Sequence, residues 1–188
     1  MDELAFLHRR RSVPSRLLTA PGPDEDQLLA MLAAAVRVPD HGKLVPWRFL
    51  RISGDSRLAL GELLAARARE LDPAATDAVV EKDRHRFSFA PVVVAVVARP
   101  QAGHKVPVQE QLLSGGAVCF ALLQAAQASG FGAQWLTGWP AYDPVVTARL
   151  GLQPHERVLG FIHIGTATTE APERLRPDPL DLLSDWTP

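Results

Sequence analysis

The chain has one cysteine, one tyrosine and two methionines among 188 residues, and a formal net charge of only -1. A single thiol, Cys119, excludes an intramolecular disulfide, so a reducing compartment is expected. No base or cation near it in sequence would lower its pKa, and it reads as a small buried hydrophobe rather than a nucleophile. Balanced charge and a pI near 6.6 argue against a general binder of nucleic acid or anionic membrane. Any anion site must be local. The longest uninterrupted apolar run, residues 90–98, is far short of a membrane span. At the N-terminus the basic run follows the apolar residues, the wrong order for a secretory signal. These absences lead us to expect a cytoplasmic protein with no nucleic-acid or membrane partner.

Several chemistries also lack their signatures. There is no GxxxxGK(S/T) loop, no HExxH and no GxSxG, which removes P-loop, zincin and nucleophile-elbow readings. Gly130-Phe131-Gly132 follows a helical pattern and precedes a strand pattern, the reverse of a dinucleotide fingerprint, and the third glycine is missing. The six histidines are scattered, with no pair spaced for a metal on one helix face. Only His41, in a polar loop, stands out. The carboxylates form no acid–base pair in sequence. An enzyme built from this chain would take its chemistry from a cofactor, with no catalytic side chain and no metal.

What the sequence does have is apolar content: 47% of residues are hydrophobic, enough for a single domain over residues 1–188 that buries roughly 70% of its unfolded surface. The pattern centres on residues 108–129, a helix apolar on every side and about 30 Å long. Gly115 and Gly116 inside it each cost up to about 1 kcal/mol relative to alanine, which fits close approach of another backbone or a ligand and fits a tolerated accident equally well. Gly130 is placed to close the helix in a left-handed conformation. A short strand through Trp135 and Leu136 follows.

Elsewhere, Leu4, Phe6 and Leu7 precede His8-Arg9-Arg10-Arg11-Ser12, a short helix ending in a basic cluster. Two readings stand: arginines solvating their own helix end, or guanidinium forks and a hydroxyl forming a phosphate pocket. The acids 24–26 open a helix that ends near Arg37. A loop with two stiffening prolines, residues 39–46, leads into a strand reaching Ile52. Helices are expected from Asp55 and from Pro73, a central strand at 91–98, a helix capped by Asp143, and a last strand at 157–165. The Pro-rich tail, residues 166–188, carries Leu180, Leu182, Leu183 and Trp186 and is expected to cover another surface, such as a second subunit.

Four stretches in this order, RRRS at 9–12, PDHGKLVPWRF at 39–49, SGGAV with ASGFGAQWLTG at 114–138, and GFIHIGT at 160–166, resemble the FMN-dependent nitroreductase family. HKVP at 104–107 and PDP at 177–179 are similar to a small bacterial subgroup of it. The alternation of strands and helices by itself leans to a parallel, doubly wound sheet. The resemblance implies instead an α+β fold, a three-layer α/β/α sandwich with a mostly antiparallel sheet, assembled as an intertwined homodimer with the long helix at the interface.

By position, the resemblance implies that Arg10, Arg11 and Ser12 hold the FMN phosphate and ribityl chain. Trp135, Leu136 and Thr137 would line the flavin, and Arg37 and His41 would reach it from the partner subunit. The implied activity passes electrons from NADH or NADPH through FMN to a nitroaromatic, quinone or similar acceptor. The alternatives are other flavin chemistry on the same fold, such as dehalogenation, dehydrogenation or flavin breakdown, and flavin binding without turnover. The chain departs from the family pattern at Pro14, where a basic residue is usual and the nearest is Arg16. It departs again at Lys43 and Val45, where many members have Asn and Gln. The C-terminal phosphate contact falls to Arg174 or Arg176.

Overall fold

The computed structural model describes residues 3–188 and runs α1 (Glu3–His8), β1 (Leu18–Thr19), α2 (Glu25–Ala35), β2 (Trp47–Ser53), α3 (Asp55–Leu71), α4 (Asp77–Arg84), β3 (Val92–Ala98), α5 (Val108–Ala128), β4 (Gly132–Leu136), α6 (Pro144–Arg149) and β5 (Arg157–Ala167). β3, the Val-Val-Val-Ala-Val-Val-Ala strand, is buried at every position, because each of its faces has its own core. Val93, Ala95 and Val97 pack with Leu60, Leu64, Phe87, Val146 and Phe161. Val92, Val94 and Val96 pack with Met31, Val118, Leu122, Ile162 and Ile164. A strand enclosed between two layers needs apolar residues at both parities.

Every strand pair is antiparallel: β2 with β3, β3 with β5, and both β4 and β1 with β5. The parallel sheet suggested by strand–helix alternation is therefore not formed. Two features explain the difference. Between β2 and β3 the chain passes through two helices, α3 and α4, so it returns to the end it left and β3 runs back along β2. The β3–α5–β4 unit does give two strands of the same direction, as a single crossover helix should. β5 lies between them, however, and pairs with both.

Local signals set most boundaries. Asp24 accepts from the Gln27 amide while the Gln27 side chain accepts from the Asp24 amide, a complete capping box at α2. Asp143 caps α6 through the Val145 and Val146 amides. Gly130, at φ 82°, closes α5, with Phe131 N–H donating to Ala126 O at 2.9 Å. The helix expected from Pro73 starts later, at Asp77, since the Asp72 carboxylate and carbonyl accept from Ala74 and Ala75 and hold residues 72–75 in a turn.

The long helix is not buried all round. One face packs on α2, β3, β4 and β5, while Leu113 is 63% and Phe120 48% exposed on the other. By length and composition α5 could cross a membrane, but half of its apolar window is buried against the protein. Its two glycines differ. A Cβ on Gly115 would collide with Leu159, whereas one on Gly116 would meet nothing within 4 Å.

Candidate functional site

The hydrogen bond from Val13 N to Ala133 O ties the segment after α1 to β4, and the Gln134 side chain accepts from Ser15 N. This stitching sets Arg10 and Ser12 beside the exposed edge of β4. Together with Phe120 and Leu123 of α5, and Trp135 and Thr137, they line a cleft of about 520 Å³. Arg10 Nη1 donates to Ser12 Oγ at 3.2 Å. One end of the cleft thus has a guanidinium and a hydroxyl, and its wall is apolar and aromatic. No carboxylate or histidine lines it, so it has no acid–base group of its own.

Trp135 owes its place to a residue on the neighbouring strand. Its indole N–H donates to Leu159 O at 3.0 Å, and a Cβ on Gly160 would lie 2.0 Å from that indole nitrogen. Only glycine lets the ring lie across β5. Sequence reasoning named neither Gly160, Phe120 nor Leu123 for the site, because each comes from an element whose pattern signals packing rather than chemistry. Leu136 is not in the lining. Successive residues of a strand alternate in face, so its side chain points away from the side shared by Trp135 and Thr137.

Arg11 turns from this cleft toward a second, cationic one of about 560 Å³, lined by Leu7, His8, Arg9, Arg10, Arg11, Glu173 and Arg176. Arg11 Nη1 donates to His8 O at 2.7 Å, at the C-terminal end of α1, and the guanidinium pairs with Glu173. Solvation of the helix end and a cationic pocket therefore coexist. Burial, then the charges of Arg176, Arg11 and Arg174, holds the Arg10 pKa below its ordinary value. Of the two C-terminal candidates, both act on Arg10 but Arg176 is the one that lines the cleft.

Arg37 and His41 lie elsewhere in the chain. Arg37 follows α2 and is exposed. His41 borders a cleft of about 340 Å³ with Pro39, Glu110, Leu113, Ser114 and Ala117, and its Nδ1 is 2.7 Å from Glu110 Oε2. The loop after His41 is strained: Gly42, Lys43 and Val45 all have positive φ, and φ 47° is a rare conformation for a β-branched residue such as valine. Asp40 holds it, its side chain accepting from Val45 N at 2.8 Å, and Ser114 Oγ donates to Pro39 O at 2.6 Å. Arg16 and Lys43 are exposed and line neither the aromatic nor the cationic cleft. Burial pushes the Cys119 thiol up to about 12, so it is inert at neutral pH. Among the described residues no cluster of three potential metal ligands occurs.

A cation and a hydroxyl at one end, an aromatic wall, and open space beside Gly116 suit a planar, amphiphilic ligand with an anionic terminus. Residues 7–166 match the Nitroreductase family model. The chain is 36% identical over 185 residues to the Escherichia coli K12 protein named "Putative NAD(P)H nitroreductase YdjA", covering 98% of this chain and 99% of that one. A nitroreductase-like protein from Bacillus cereus shares the fold at a TM-score of 0.83 and 21% identity, over 98% of this chain and 96% of that one. A nitroreductase with bound FMN from Bacteroides fragilis does so at 0.71 and 19% identity, over 100% of both chains. The near full-length relation to YdjA and the family match over most of the chain place this protein in the nitroreductase family.

Proposed function

We propose that the protein is a cytoplasmic, homodimeric FMN-dependent oxidoreductase that carries electrons from NADH or NADPH to a small acceptor such as a nitroaromatic or quinone. The observation that carries the proposal is the cleft itself, with Arg10 and Ser12 at one end and Phe120, Leu123 and Trp135 along its wall. Bound there, FMN would supply the redox chemistry by accepting two electrons from the nicotinamide and passing them on. The chain's own part is to bind and orient. Arg10 and Ser12 hold the anionic end through charge-assisted hydrogen bonds, and the indole and phenyl rings exclude water beside the ring system.

A second copy completes the arrangement. Leu113, Gly116, Ala117 and Phe120 form one stripe on the uncovered side of α5. A twofold crossing near Gly116 sets Phe120 of one copy against Leu113 of the partner subunit, since an isologous contact pairs residues equally spaced about the axis. The His41 cleft includes Leu113 and Ala117 and the aromatic cleft includes Phe120, so the same crossing lays one over the other. Arg37 and His41 of the partner subunit then approach the flavin, and the apolar tail, with Leu175 wholly exposed and Trp186 at 84%, gains a surface to cover.

An absorbance spectrum of the purified protein, followed by anaerobic titration with NADH and NADPH, tests the activity. Bleaching of a flavin spectrum is expected; a colourless protein that takes up no FMN and oxidises neither nucleotide removes the proposal. Gly116→Leu tests the assembly, because a Cβ there meets nothing within 4 Å in the single chain and the substitution favours the helix by up to about 1 kcal/mol. Sedimentation should show monomer with lost FMN. A folded monomer that retains FMN contradicts the composite site.

A further inference from the structure

Each polar group lining the aromatic cleft has a local support except one. Arg10 and Ser12 are set by the bond from Val13 N to Ala133 O, and the Trp135 indole by its bond to Leu159 O. Thr137 also lines the cleft, yet the β4–β5 ladder stops one residue before it, at Leu136 opposite Phe161. With the Trp135 N–H already donated, Thr137 is the only hydrogen-bonding side chain left in the lining apart from Arg10 and Ser12. Its support comes from the next two residues. Trp139 Nε1 lies 3.2 Å from each carboxylate oxygen of Asp83, a buried residue in the last turn of α4. Asp83 Oδ1 also accepts from Arg86 Nε at 3.0 Å and Nη2 at 2.6 Å. The same guanidinium lies against Gly138, which has φ 75° and whose Cβ, if present, would be 3.1 Å from Arg86 Nη1. Trp139 packs against the core in any case, so an apolar neighbour would serve folding as well as a carboxylate and its cation do.

We infer that Asp83 is a positioning residue of the flavin cleft: with Arg86 it clamps Gly138 and Trp139, and so fixes Thr137 as a hydrogen-bonding partner for the ligand. The inference rests on FMN occupying the aromatic cleft. Asp83 itself is not in the lining and acts only through the residues that follow Thr137. What the carboxylate adds over apolar packing is direction, because it holds an indole N–H and a guanidinium fork in one fixed geometry. An unclamped Trp139 would let Thr137 drift, and a displacement of about 1 Å in a binding group is enough to cost affinity and rate.

The test titrates FMN into the unaltered chain, Trp139→Phe and Asp24→Ala. Trp139→Phe keeps an aromatic ring in place and deletes the donor to Asp83. Asp24→Ala is the control: it removes the cap of α2, which lowers stability, and Asp24 lines neither cleft. Trp139→Phe should weaken FMN binding by about five- to tenfold, the worth of one hydrogen bond, and should change the visible circular dichroism of the bound flavin. Asp24→Ala should do neither. Adding Asp83→Ala to Trp139→Phe should weaken FMN binding little further, since both act through the same bond. The inference is overturned if Trp139→Phe binds FMN as tightly as the unaltered chain, if Asp24→Ala weakens binding as much, or if the two clamp substitutions add in full. An unaltered chain that takes up no FMN defeats the earlier proposal instead, and hydrogen exchange of the FMN-free protein then decides the clamp. The amides of Ala141 and Tyr142, bonded to Gly138 O and Trp139 O, should exchange about tenfold faster in Trp139→Phe than in Asp24→Ala; equal rates refute it.

Discussion

Two groups of arginines in this protein are treated in opposite ways. From Arg48 to Arg86 each one has its partner: Arg48 with Glu156, Arg51 with Glu25, Arg67 with Glu70 and Asp143, Arg69 with Asp77, Arg84 with Glu62 and Glu81, Arg86 with Asp83. Arg57 donates to the carbonyls of Ser88 and Ala90. In the cluster of Arg9, Arg10, Arg11, Arg174 and Arg176, Arg11 and Arg176 share Glu173, and among the described residues Arg9, Arg10 and Arg174 have no ion pair. The paired arginines join elements of the fold, as Arg48 joins β2 to the start of β5. The crowded ones repel one another, and folding alone gives no reason to gather them. Charge left unbalanced by the fold is where a ligand's charge is expected.

The sharpest way to break this contrast is to remove an acid from the paired group. Asp83 is buried and accepts from Arg86 Nη2 at 2.6 Å and from Trp139 Nε1 at 3.2 Å. Asp83→Ala removes the acceptor of both donors in a part-buried pair, which costs roughly 1–3 kcal/mol. Urea denaturation should show a loss of that size. In the crowded group the opposite is expected. Arg10→Gln should weaken FMN binding by on the order of 10–100-fold, the worth of a charged hydrogen bond, while the denaturation midpoint of the FMN-free protein stays the same or rises because repulsion is relieved. A midpoint that drops as far as in Asp83→Ala would make Arg10 a structural residue and end the comparison.

His163 sharpens the contrast from within the paired region. It is buried and stacked on Phe87 with ring centroids 5.5 Å apart, and neither ring nitrogen has a partner. Burial first, then Arg86, pushes its pKa down to about 4 from an ordinary 6.5. The folded state thus keeps the ring neutral where the unfolded chain binds a proton, and stability falls as pH drops from about 6.5 toward 4. Between about pH 7 and pH 5 this group alone should remove roughly 2 kcal/mol. His163→Leu should flatten that part of the stability profile, and an unchanged slope would show that the folded protein protonates the ring.

The elements themselves were largely legible in the chain. The acids 24–26, Asp143 with Pro144, and Gly130 mark the ends of their helices locally, and apolar residues at both parities of 91–98 point to a central strand. Contacts made across elements were not legible. Adjacent glycines 115 and 116 are indistinguishable in sequence, yet one seats Leu159 and the other faces open space. Apolarity all round α5 marks both a face that the chain covers and a face it leaves bare, because burial by self and burial by a partner demand the same side chains. Arg10, Ser12, Trp135 and Thr137 line one cleft, and Gly160 and the pairing of His41 with Glu110 appear only once the strands are in register and the loops closed.

The pairing of β1 with the end of β5 sets Leu18 against Ala167, and Thr168 Oγ1 donates to Leu17 O across 151 positions of chain. The basic segments 9–12 and 174–176 flank this clasp on either side. During synthesis, which proceeds at about 5–20 residues per second, the first segment waits for nearly the whole chain before it meets the second. The gathering of these cations is thereby a late event, and a ribosome-bound chain halted before Arg174 would lack two of the five.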